Sequence, residues 1–272
     1  MKRLLLILTL LINLNANAVV IDKTPLVIGE TISFKSKALN ETRQFNVYLP
    51  VSYFKAQSKH YPVIYLLDGG VDEDLVHMSG LTQFLSFSWI HSMPEVIVVG
   101  IQNVDRRRDF TYPSSDLTDQ KELPTSGKSS TFISHLSNEL FPLIDDHYRT
   151  TNNRTLVGQS LGGLLASTIL HQQPNMFTNY LIVSPSLWWD KESLLSRPLD
   201  LNTFKGKVFI TVGEEGQIMK RVAKSLYEKT LQAGLKSNMV AFEFYPTLDH
   251  GDVLHLGAYK GLGFLFNKPE TR

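Results

Sequence analysis

From Arg154 onward the chain alternates short, unbroken apolar runs with longer amphipathic segments, and this alternation leaves few folds open. The runs Arg154–Gly158, Tyr180–Val183, Lys207–Gly213 and Met239–Tyr245 read as strands. Between and after them, residues 161–171, 218–231 and 256–266 carry helical spacing. Parallel neighbours need crossover connections, and a sheet covered on both faces needs helices above and below it. Upstream, Pro62–Asp68 reads as a strand buried on both faces and Glu95–Ile101 as a second buried strand, and 72–91 and 129–147 predict helices. Residues 26–50 differ. Ile28, Ile32 and Phe34, then Phe45, Val47 and Leu49, alternate in two strands, the second stopped by Pro50. The expectation is an α/β fold with a mostly parallel central sheet, helices on both faces, and one domain over residues 19–272. The polar stretch 102–128 is too long for a simple connector, so it predicts a functional or mobile loop beside an open, wet site.

Residues 1–18 read as a separate object, a signal peptide. Lys2 and Arg3 precede an apolar run from Leu4 to Ile12, and Ala16-Asn17-Ala18 has the small-x-small form of a cleavage site. The apolar run is shorter than the roughly 20 residues that span a bilayer. The expectation is export, to the periplasm or beyond, as a mature chain beginning at Val19 with no stable membrane anchor. Losing Lys2 and Arg3 takes the formal charge from +1 to −1. A near-neutral chain without a basic stripe argues against nucleic acid as a partner. The absence of cysteine excludes thiol catalysis and thiolate metal sites.

Gly158-Gln159-Ser160-Leu161-Gly162 is G-x-S-x-G, set directly between a predicted strand and a predicted helix. A turn that sharp has no room for side chains flanking the serine, and glycine at 158 and 162 lifts its hydroxyl clear of the sheet. The N-terminus of the following helix directs partial positive charge toward an oxyanion formed there. A serine hydroxyl needs a base, and in the α/β-hydrolase order Ser, acid, His the base follows the last strand. Of eight histidines, His250 holds that place, with His255 nearby at the start of the last helix. The acid should follow the strand 207–213, where Glu215 is preferred and Glu214 is the alternative. Backbone N–H groups of Leu161 and of Gly70, in the loop after the strand 62–68, are the candidate oxyanion donors.

Tyr65-Leu-Leu-Asp-Gly69, Asp105-Arg-Arg-Arg-Asp-Phe110, Gly158-Gln-Ser-Leu-Gly-Gly163, Ser184-Pro-Ser-Leu-Trp-Trp189 and His250-Gly-Asp-Val253 stand in an order that resembles the putative-esterase family. That family includes the enterochelin and salmochelin esterases, esterase D and the mycolyltransferases. The resemblance is greatest to the siderophore-esterase branch and spans nearly all of 26–267. It implies a single-domain α/β-hydrolase fold and a serine esterase acting on a small-molecule ester without metal or organic cofactor. An acyltransferase, or an idle hydrolase fold that binds a ligand, is the alternative. The family often has serine two residues after the histidine, where this chain has Asp252. The resemblance also places the Arg–Asp loop at the rim of the site, with Arg107 as a substrate contact or as a partner of Asp109 that holds the loop. Of Trp188 and Trp189, one should line the pocket and the other pack inside. Substrate identity and oligomeric state stay open at this point.

Overall fold

The apolar runs become strands of one eight-stranded sheet in the computed structural model, which describes residues 22–266. The expected signal peptide lies outside the described residues. Strands β1 (Gly29–Ser36) and β2 (Glu41–Tyr48) form a hairpin whose alternating pattern leaves β1 largely exposed at the sheet edge. The others are β3 (Tyr61–Leu66), β4 (Ile97–Ile101), β5 (Thr150–Gln159), β6 (Asn179–Val183), β7 (Lys207–Gly213) and β8 (Val240–Tyr245). Their spatial order is β1-β2-β4-β3-β5-β6-β7-β8, antiparallel from β1 to β4 and parallel from there on.

Helices cover both faces. On one side lie α1 (Leu75–Ser86) and the last helix, with Met78, Leu81, Leu85, Leu254, Ala258 and Leu262 against Ile64, Val98 and Phe209. On the other, Ser129–His135 and Phe141–His147 are two helical pieces joined by a π turn, followed by Leu161–Gln172 and Gly216–Gln232. Phe132, Leu136, Leu164, Ile169, Val222 and Leu226 form that core with Tyr65, Tyr180 and Ile210.

Two stretches depart from expectation. Residues 102–128 carry two short helices, α2 (Arg106–Phe110) and α3 (Leu117–Glu122), and bury Phe110 and Tyr112. Instead of a loose rim, the stretch packs onto the core. A further helix forms at Trp189–Ser196, where the sequence carries no helical spacing; it contains three consecutive left-handed residues, Asp190, Lys191 and Glu192. Numbered in chain order, the helices from Ser129 on are α4, α5, α6, α7, α8 and α9, the last at Val253–Phe266. Among the described residues, no helix is long and apolar enough to cross a membrane.

Strand order reverses at β3, since the chain passes from β3 to β4 on one side and returns to β5 on the other. The carboxyl ends of β3 and β5 therefore flank a topological switch point, where open α/β sheets bind ligands.

Candidate active site

Three strands end at this edge with a non-glycine residue in the left-handed region: Asp68 just after β3 (φ 55°), Ser160 after β5 (φ 60°) and Ser184 after β6 (φ 43°). Such conformations cost of the order of 1–3 kcal/mol each and persist only where the surroundings over-determine them. Around Ser160 they do. Its N–H donates to Val183 O at 3.0 Å, and its carbonyl accepts from Leu164 N–H at 2.9 Å and Ser186 N–H at 3.0 Å. Gly158 is obligatory, because a Cβ there would stand 2.4 Å from Gly162 O. A Cβ on Gly163 would meet Pro185 Cα at 2.9 Å, so this glycine lets α6 approach the β6 loop. Ser160 Oγ lies 3.4 Å from Ser186 Oγ.

His250 sits in the turn after β8, with its ring half exposed. Glu215, N-terminal to α8, bonds His250 Nδ1 through Oε2. The same carboxylate takes Ser184 Oγ–H at 2.5 Å and Gly213 N–H at 3.0 Å on Oε1. Burial pushes the Glu215 carboxyl upward, but the bonds from His250, Ser184 and Gly213 outweigh it and hold the group below the usual carboxylate range. The bond to Glu215 lifts His250 above the ordinary imidazole value against the opposing effect of burial. Glu214 faces solvent, and its N–H donates to Leu248 O at 2.6 Å, tying the β7 and β8 loops. Gln159 Nε2 reaches His250 O at 2.6 Å, and Asp252 Oδ1 accepts Asp249 N–H at 2.7 Å. Asp252 thus closes the histidine turn. His255, the neighbouring candidate, instead meets His77 of α1, Nδ1 to Nε2 at 2.8 Å.

Leu161 is the first residue of α6, so its N–H has no acceptor within the helix. Gly70 requires correction. Its N–H donates to Glu73 Oε2 at 2.8 Å, because a carboxylate three residues on folds back over the turn, and that donor is occupied. Gly69 N–H is also taken, by Ile101 O at 3.0 Å. The next N–H in the loop, on Val71, has no hydrogen bond among the described residues. The loop is acidic, and Asp74 is pushed up to about 6 by burial and then by the charges of Asp68 and Glu73.

The arginine that reaches the elbow is Arg106, one position before the residue expected. It grips Asp68 through Nε at 2.5 Å and Nη2 at 2.9 Å, and Nη2 also donates to Gln159 O at 3.1 Å. The α2 turn directs Arg107 outward to solvent, where its side chain has no ion pair among the described residues. Arg107 does not pair with Asp109 either. Asp109 is buried against Arg43 at 2.8 Å and Arg108 at 2.7 Å.

The tryptophans divide as expected, and the structure identifies which is which. Trp189 is fully buried, donating Nε1–H to Tyr112 O at 2.9 Å, which removes it as a substrate contact. Trp188 is 40% exposed and lines a cavity of about 690 Å³ with Ser160, Ser186, Glu214, Glu215, Met219, Asp249, His250 and Gly251. Arg106, Ser184 and Ser186 fall within the runs 105–110 and 184–189 that carry the resemblance, but nothing in those runs singles them out, and Met219 has no sequence signal.

A family described as putative esterase matches residues 36–239. The chain belongs to this family of ester hydrolases. Ferri-bacillibactin esterase of Bacillus subtilis is 30% identical over 174 residues, covering 58% of this chain and 59% of that one. Among solved structures, an IroE-like serine hydrolase from Shewanella oneidensis is 28% identical with a TM-score of 0.74, covering 88% of this chain and 80% of that one. The BES protein from Bacillus cereus is also 28% identical, with a TM-score of 0.79 and coverage of 92% and 100%. These two likenesses extend over the eight-stranded α/β architecture described above.

Proposed function

We propose that the chain hydrolyses a siderophore-type carboxylic ester through a Ser160–His250–Glu215 triad and an acyl-enzyme. The observation that carries this reading is one cavity holding a strained elbow serine and an imidazole whose far nitrogen is engaged by a buried carboxylate. With Nδ1–H donated to Glu215, His250 Nε2 is the basic nitrogen. It removes the Ser160 proton as Oγ attacks the ester carbonyl. The Leu161 N–H and the N-terminus of α6 stabilise the oxyanion. The imidazolium returns its proton to the leaving alcohol, and a water deprotonated by the same nitrogen releases the acid and restores Ser160.

The substrate class is supported by the named relatives and by the lining. Trp188 and Met219 offer an apolar wall, while Glu214 and Asp249 make the ionisable lining acidic beside His250. That charge favours an uncharged ester over an anionic ferric complex. Purified protein should therefore hydrolyse p-nitrophenyl esters and iron-free catecholate siderophores, with the ferric forms slower. Release of neither acid nor alcohol from any of them would overturn the assignment.

A pH profile tests the acid. Only neutral His250 can accept the proton, so kcat/KM should fall as pH drops through a value above the ordinary 6.5. Glu215→Gln should move that limb downward, since the group that raises the imidazole is gone, and lower kcat on the order of 10²-fold, roughly 2.7 kcal/mol. An unmoved limb and unchanged kcat would leave a Ser–His pair without this acid.

A further inference from the structure

Ser184 ends β6 in a backbone conformation that suits glycine. Its φ is 43°, it is fully buried, and its N–H donates to Thr211 O at 2.8 Å. A glycine there would relieve the strain, so the side chain must do something that the fold alone does not require. The hydroxyl makes one side-chain hydrogen bond, to Glu215 Oε1 at 2.5 Å, beside the Gly213 N–H at 3.0 Å. The last torsion of a glutamate is broad and roughly two-fold, so a carboxylate held by one contact can pivot. Two donors on Oε1 stop the pivot and leave Oε2 for His250 Nδ1.

We infer that Ser184 is a positioning residue, its hydroxyl fixing the Glu215 carboxylate so that the His250 ring keeps Nδ1–H toward the acid and Nε2 toward Ser160. The inference rests on the reading of Glu215 as the acid of the triad. Ser184 touches neither substrate nor the reacting atoms. It acts through the rotation of a carboxylate, and through that on the orientation and tautomer of the base. The left-handed turn is what aims the hydroxyl from the end of β6 at a residue just past the end of β7, its neighbour in the sheet.

Ser184→Gly separates this role from a structural one, because glycine suits the backbone while removing the hydroxyl. The expected result is an equal or higher melting temperature, kcat lowered about tenfold (about 1.4 kcal/mol) and KM changed by less than about twofold. Ser184→Ala, which keeps the strain, should show the same loss of kcat with lower thermal stability than Ser184→Gly. In a Glu215→Gln background, Ser184→Gly should cost less than about twofold, since its route to the base is already cut. Full kcat in Ser184→Gly, or the same loss in both backgrounds, would overturn the inference while a damaging Glu215→Gln left the triad standing. A silent Glu215→Gln would overturn the triad reading, and this inference with it.

Discussion

Ser160→Ala is expected to lower kcat by a factor on the order of 10⁴–10⁶, roughly 5–8 kcal/mol of transition-state stabilisation, while the protein stays folded. The chemical loss is large because alanine leaves no covalent route. The residual rate would come only from the oxyanion donors and from substrate binding. Folding is spared because alanine bears the same left-handed strain as serine, and the backbone bonds to Val183, Leu164 and Ser186 remain. His250→Ala should cost about as much, and the double variant little more than either single one, since residues that act as one unit do not add. A fluorophosphonate probe should label the wild-type protein once and Ser160→Ala not at all. Persistent labelling of Ser160→Ala would move the nucleophile elsewhere.

Much of this site could be read from local pattern, and what could not shares a cause. The elbow is legible because strand, turn and helix are contiguous, and the crowding that demands Gly158 arises within five residues. His250 is legible because the turn after the last strand reaches the same sheet edge as the turn after β5. The α/β class follows from apolar runs too short and too uniform to be anything but covered strands. Where the reading failed, the deciding interaction was either a matter of turn geometry or long-range. Gly70 has the flexibility to turn its N–H inward, but Glu73 folds back onto that N–H. Arg106 and Arg107 differ only in which side of a five-residue helix they occupy, and no periodicity can be read from so short an element. Trp188 and Trp189 stand just before the left-handed turn at the start of α7, for which the sequence Asp190-Lys191-Glu192 offers no glycine as a warning. Ser184 meets Glu215 across 31 residues of chain.

Asp109→Ala is expected to destabilise the fold by about 3–5 kcal/mol, because it strands a buried cation. Arg43 is 1% exposed and is held by Asp109 at 2.8 Å and Glu41 at 3.0 Å, with Gln102 O accepting at 3.3 Å. Removing Asp109 leaves the guanidinium buried with one carboxylate that Arg108 already engages twice. At roughly 2–4 °C per kcal/mol for a chain of this size, the melting temperature should fall by about 6–20 °C. The pair is not in itself a gain over apolar packing, since much of its attraction offsets the cost of taking both charges out of water. Arg43→Met with Asp109→Leu should therefore recover most of the loss that either single change causes. Activity adds a second readout. Asp109 anchors α2, whose first residue, Arg106, clamps Asp68 to the carbonyl before Ser160. Below its lowered melting temperature, Asp109→Ala should thus lose kcat as α2 loosens, whereas the double variant, with α2 packed again, should regain it. A melting temperature unchanged in Asp109→Ala would mean that Glu41 and Arg108 alone hold this corner of the molecule.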